Sequence, residues 1–179
     1  ADIIACGVGP GSFTGLRVAV SVAQGLAWSL DIPVHGFCSL TAQGHAAGYQ
    51  CLLKDGDRGL STIDAQIDQF YGLWGQWRDG VFVADGEAFV CAPEDLLAVS
   101  SSPATVVIGS GARYQDRIPE ELTSASQWLP EVTPDARVMA ELLGGGALAL
   151  QPEPAHTLSP RYVQRDIGWK KLSEQGRRD

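Results

Sequence analysis

Thirteen consecutive residues, Val18 to Leu30, carry no ionisable side chain, yet their apolar positions recur at helical spacing. A helix on the surface of a water-soluble domain shows a charged face. This one has only Ser21, Gln24 and Ser29 as polar residues, with Gly25 beside them. The pattern therefore predicts a helix over Leu16–Leu30 that is covered on both sides. One stripe, Leu16, Val20, Ala23, Ala27 and Leu30, is expected to face its own sheet. The other, Val18, Ser21, Val22, Gly25 and Trp28, is expected to meet a partner, or else to be buried by the missing part of the same chain. Small residues at Ser21 and Gly25 would let a second helix approach closely.

The helix is entered from Gly7-Val8-Gly9-Pro10-Gly11-Ser12-Phe13-Thr14-Gly15, which follows a short apolar strand beginning at Ile3. Glycine loops that lead into helices bind phosphate because the backbone comes close and free N–H groups point at the anion. Gly9, Gly11 and Gly15 suit that role, with Ser12 and Thr14 as hydroxyl donors. The spacing is neither Gly-x-Gly-x-x-Gly nor a Walker loop, so a plain strand-to-helix turn is the competing reading. Arg17 lies in the first helical turn, where a cation is disfavoured. An anion or a neighbouring carboxylate is expected beside it.

Glycine is abundant, 21 of 179 residues, or about 12% against a usual ~7%. Tight turns and close backbone approaches should follow. The net charge of −8 argues against autonomous nucleic-acid binding. It is unevenly spread. Six basic residues after Leu158 (Arg161, Arg165, Lys170, Lys171, Arg177, Arg178) make the last 22 residues +3, and the rest −11. No apolar stretch reaches the ~18–20 residues of a membrane span, and no charged-then-apolar opening marks a secretory signal, so the cytoplasm is the expected compartment. Cys6, Cys38, Cys51 and Cys91 lack the paired spacing of a zinc site and are expected to be buried free thiols.

Along the chain, Val34–Phe37 reads as a second strand and Ser39–Ala47 as a small-residue helix capped by Ser39. Lys54–Gly59 is a polar, glycine-containing hinge. Beyond it come strands at Leu60–Asp64, Gln69–Trp77, Val81–Ala84 and Ala88–Cys91, a meander. A short helix opens at Pro93, a β-branched strand covers Thr105–Ile108, and a helix capped at Thr133-Pro134-Asp135 runs to Leu143. Strands mixed with helices in this order predict an α/β fold in two lobes: residues 1–55 with 158–179, and residues 56–157.

Gly9-Pro10-Gly11-Ser12-Phe13-Thr14-Gly15-Leu16-Arg17, followed by Ala23-Gln24-Gly25-Leu26-Ala27, resembles the signature of the TsaB (YeaZ) family. Ser39-Leu40-Thr41, Ile63-Asp64-Ala65, Gly109-Ser110-Gly111 and the ending Pro160-x-Tyr162…Trp169-Lys170-Lys171-Leu172 fall in the family's order. The resemblance implies an actin-like ATPase (ASKHA) fold. It begins after the family's first strands and first helix, and the chain opens without Met inside a strand, so the N-terminal lobe is expected to be incomplete.

The resemblance also implies a role. TsaB is similar in fold to the transferase subunit TsaD but is not the catalyst. It supports transfer of a threonylcarbamoyl group to adenosine 37 of tRNA, as a heterodimer with TsaD, often as a homodimer in isolation, and with a TsaE-type ATPase. TsaD-like proteins carry a His-x-x-x-His metal pair after the strand that follows this helix. Here Ser39 and Gln43 stand at those positions, and neither is a plausible iron or zinc ligand. No catalytic residue and no metal are therefore expected. No cofactor is assigned to this chain, ATP or ADP entering at the level of the complex, and tRNA is met only through that complex. Gln66 and Gln164 replace arginines usual in the family, weakening any nucleotide or tRNA contact those make. Two other readings compete: an ASKHA-type nucleotide-binding kinase or ATPase centred on Gly9–Gly15, and a glycoprotease-like metallopeptidase.

Overall fold

The computed structural model describes residues 1–163, apart from 67 and 101. Strand β1 (Ile4–Gly9) and strand β2 (Val34–Cys38) pair in parallel, Ile4 opposite Val34. A parallel pair needs a crossover, and helix α1 (Phe13–Leu30) supplies it. The helix starts three residues before the expected Leu16, because the Ser12 hydroxyl accepts the Gly15 N–H and caps it. It stops at Asp31, which takes the left-handed conformation (φ 53°) and returns its N–H to the last turn. Leu16, Val20, Ala23 and Ala27 are buried against the two strands. Leu30 departs from the expected stripe and is exposed. The helix ends there, and Ile32 packs in its stead against the core of Cys6, Val8, Val20, Ala23, Ala27 and Val34.

Helix α2 (Ser39–Tyr49) begins directly after β2. Its N-cap is Cys38, without a side-chain hydrogen bond, and not Ser39 as the sequence suggested. The helix is buried nearly all round, from Leu40 to Ala47 apart from Thr41. It lies between the first sheet and a second one, and α5 (below) packs on it too.

The second sheet has six strands. Strands β3 (Arg58–Asp64), β4 (Phe70–Arg78) and β5 (Val81–Ala84) form the expected antiparallel meander. Strand β6 (Phe89–Cys91) adds to the same edge of β4 as β5, at its other end. A 3-10 turn at Pro93–Asp95 leads into α3 (Leu96–Val99). Strand β7 (Val106–Ile108) then pairs in parallel with the other edge of β3. A 3-10 segment (Ser110–Arg117), α4 (Glu120–Thr123) and β8 (Gln127–Leu129), parallel to β7, follow. The sequence reading passed over α4 and β8. Helix α5 (Ala136–Gly144) is capped by Asp135, whose carboxylate accepts the N–H groups of Arg137 and Val138.

Two cores flank this sheet. On one side Leu40, Ala46, Ala47, Leu73, Phe82 and Ile108 join α2 to the strands. On the other, Leu60, Phe70, Trp74, Leu96, Val107 and Leu122 pack beneath α3 and α4. The chain finally returns to the first sheet. Glu153 bridges Val34, and Leu158 enters the core under α1.

Candidate functional site

The glycine loop, read either as a phosphate cradle or as a plain strand-to-helix turn, is tied to the chain's own return segment. The Arg161 N–H donates to the Val8 carbonyl at 2.7 Å. Gly9 adopts φ 124°, and a side chain there would meet the Arg161 carbonyl at 2.6 Å. Glycine is thus required at this position by close approach as much as by conformation. Gly11 is half-buried beside Leu16. Ser12 spends its hydroxyl on the helix cap, and Thr14 and Gly15 lie exposed in the first turn.

Among the described residues Arg17 pairs with no carboxylate. Its Nε donates to the Tyr162 hydroxyl at 3.0 Å, and its guanidinium lies 3.8 Å from the centre of the Phe13 ring. Phe13 and Tyr162 are themselves in contact, with centroids 5.4 Å apart. The negative ring face offsets a cation that the helix N-terminus disfavours. The remaining basic positions, Arg165, Lys170, Lys171, Arg177 and Arg178, lie outside the described residues, as do Gln164, Trp169 and Leu172.

The second stripe of α1 is open to solvent. Val18 is 58%, Val22 55% and Trp28 76% exposed, and Ser21 and Gly25 are exposed between them. Beyond the helix's own backbone and its chain neighbours, no atom of the described residues lies within 4 Å of where a Gly25 side chain would start. Phe13, Leu26 and Leu30 are exposed on the same helix; the sequence reading had Phe13 and Leu26 in neither stripe and Leu30 on the buried one. Leu26 lies one turn beyond Val22, so its place was legible from the helical period. Exposed apolar surface of this extent on one helix is characteristic of an interaction site.

The positions aligned with the metal pair of TsaD-like proteins have other work. Gln43 is 2% exposed, and its Nε2 donates to the Thr62 carbonyl (3.1 Å) and the Ile108 carbonyl (3.0 Å). It thereby braces α2 against β3 and β7. Gly109 (φ 91°) leaves the room, since a Cβ there would fall 2.0 Å from Nε2. Ser39 is half-buried beside Gly7. Two histidines near this helix act as backbone acceptors: His35 Nδ1 takes the Gln151 N–H and His45 Nδ1 the Phe82 N–H, both at 3.0 Å. Among the described residues no three His, Cys, Asp or Glu side chains gather to hold a metal ion.

Ile63-Asp64-Ala65 and Gly109-Ser110-Gly111 come together. The Ser110 hydroxyl accepts the Asp64 N–H at 2.9 Å. The Asp64 carboxylate accepts from the Gln66 N–H, the Tyr114 hydroxyl and Arg113. Burial pushes its pKa up, but these hydrogen bonds outweigh burial and hold it below the usual carboxylate range. Gln66, at an arginine position of the family, is exposed with φ 65° and is used here through its backbone. The four cysteines are free thiols, but of them only Cys6 is buried; Cys38 and Cys91 are half-buried, and Cys51 is exposed in the turn that ends α2 (φ 58°). Burial and the nearby Asp95 push the Cys91 thiol up to about 11.

No helix among the described residues is long and apolar enough to cross a membrane. A family model described as tRNA N6-adenosine threonylcarbamoyltransferase, TsaD, matches residues 1–73. The tRNA threonylcarbamoyladenosine biosynthesis protein TsaB of Haemophilus influenzae is 31% identical over 96% of this chain and 73% of its own length. Its Escherichia coli namesake is 25% identical over 96% of this chain and 74% of its own. Among solved structures, YeaZ from Pseudomonas aeruginosa superposes with a TM-score of 0.76 at 28% identity, covering 90% of this chain and 73% of that one. The α/β architecture is thus that of the actin-like ATPase (ASKHA) fold. Likeness of sequence along nearly the whole chain, with matching structure, means that the chain belongs to the TsaB (YeaZ) family.

Proposed function

We propose that this chain is a non-catalytic subunit of tRNA threonylcarbamoyladenosine biosynthesis in the cytoplasm. It holds a TsaD-type transferase subunit through the exposed face of α1, and meets tRNA through that complex. One observation carries the reading: an 18-residue helix whose outward side is apolar and uncharged from Val18 to Leu30, with small residues at its centre. Such a face has little to gain from water and suits packing against another helix. The pathway is supported by the names of the relatives and by the TsaD family model over residues 1–73. The non-catalytic part is supported by Gln43, whose amide is taken up by two backbone carbonyls. In the same reading a TsaE-type ATPase joins the assembly, any ATP or ADP acts there, and a second copy takes the α1 face when the partner is absent.

Gly25→Arg tests the reading. The position is exposed with open space around it, and arginine is a better helix former than glycine, so the fold should survive. A charge placed mid-face should abolish co-elution with the transferase subunit of the same organism while circular dichroism stays unchanged. A complex that survives the substitution would remove α1 as the docking face.

A further inference from the structure

At the C-terminal end of α1 a cleft of about 460 Å³ opens between the helix and the return segment. Trp28, Ile32, Pro33, Pro152 and Pro154 give it apolar walls, and Asp31 and Glu153 give it two carboxylates, with His156 at its margin. Electrostatics at this end are reversed from the usual arrangement. The last turn of α1 carries no basic residue, although cations are favoured at a helix C-terminus. The residue that caps it, Asp31, is an acid. Among the described residues neither Asp31 nor Glu153 pairs with a lysine or arginine. Glu153 is engaged through one oxygen by the Thr157 hydroxyl, at 2.8 Å. Beside these two carboxylates Trp28 is 76% exposed, a ring face available to a cation.

We propose that this cleft receives a lysine or arginine side chain of the subunit that docks on α1, an inference that rests on the docking reading above. Two carboxylates, the carbonyl end of a helix and an indole face all favour the same ligand, an alkyl-ammonium or guanidinium group. The prolines and Trp28 suit the aliphatic stem of such a side chain. The cleft is also continuous with the proposed interface, because Trp28 belongs to both. A partner lying along α1 from Val18 onward reaches the cleft without turning. The apolar face would supply most of the contact, and the cleft would fix which way round the partner lies.

The test is calorimetric titration of the full chain with the transferase subunit of the same organism, across about 50–300 mM salt, a range over which exposed charges become screened. The double variant Asp31→Asn, Glu153→Gln removes both charges conservatively. Asparagine tolerates the left-handed conformation of position 31, and glutamine can still accept from Thr157. Expected is binding weaker by about tenfold at low salt, with the salt dependence of the wild type largely lost. Affinity unchanged, or tighter because the chain's own basic C-terminal residues had occupied the cleft, would overturn the proposal. Gly25→Arg separates the two readings. If it abolishes binding while the double variant binds like wild type, the docking face stands and the cleft assignment falls. If it binds normally while the double variant is weakened in this salt-dependent way, the cleft stands and the docking face falls.

Discussion

His45 shows how much one buried side chain can decide. It is fully buried on α2, its Nδ1 accepts the Phe82 N–H, and its Nε2 has no partner among the described residues. Accepting at Nδ1 places the ring proton on Nε2, so the imidazole is neutral in the fold. Burial lowers its pKa from 6.5 to about 4. The unfolded chain therefore binds this proton more readily, and the stability His45 contributes is complete above pH 6.5. It is lost as pH falls from there toward 4. Between pH 7 and 5 the loss should be about 2 kcal/mol. Asp64, Glu94 and Glu141, all held below the usual range, destabilise the fold further as they take up protons on acidification. A His45→Gln variant isolates the histidine. Its urea-unfolding free energy should fall less than that of the wild type between pH 7 and 5, and parallel slopes would refute the assignment.

At the scale of elements, α2 is held by glycines on one side and aromatic rings on the other. Phe82 of β5 lies over Gly44, Gly59 and Gly75, and Trp77 of β4 lies over Gly48. A Cβ at Gly44 would fall 2.4 Å from Phe82 Cγ, near the stem of a buried ring that cannot swing away. Alanine is intrinsically the better helix former by about 1 kcal/mol. Gly44→Ala should nonetheless destabilise the protein by about 1–3 kcal/mol, because overpacking a filled core costs more than propensity returns. Thermal unfolding decides between the two signs. This interlock explains what could and could not be seen beforehand. The buried stripe of α1 was legible from its 3.6-residue period, whereas the lack of charge on the other stripe pointed to a covered face, and in this chain alone that face is open. Ser39 and Ala42 to Ala47 showed only that α2 is small-residued, since the rings that seat against it lie about thirty to forty residues away. Strand β8 has three residues and no period of its own, and it exists because β7 offers an edge. The clamp of Phe13, Arg17 and Tyr162 joins residues 145 positions apart, so no local pattern announced that Arg17 would rest on aromatic rings.

The whole molecule is closed by its return segment. A sheet of two strands with a helix on it is a small core, and here it is completed by residues from far along the chain. Gln151 reaches His35, Glu153 bridges Val34, Gln24 Nε2 donates to the Leu158 carbonyl at 2.9 Å, and Arg161 bonds Val8. Leu158 is 2% exposed in the core with Val8, Val20, Ala23 and Val34. Its Cδ1 also fills the space that a side chain at Gly36 would take, 3.1 Å from that Cβ position. Leu158→Ala leaves a cavity in a core with little else to close it. A loss of about 2–4 kcal/mol is expected. The loss should not be spread evenly, because Leu158 belongs to the core of the first sheet. Amide hydrogen exchange should quicken most in β1, β2 and α1, and less in β3 and β4, which have cores of their own on both faces of the second sheet. Exchange that quickens equally in both sheets would show that α2 and its Gln43 brace bind them into one cooperative unit. A cost below about 1 kcal/mol would show that the first sheet holds together without its return segment.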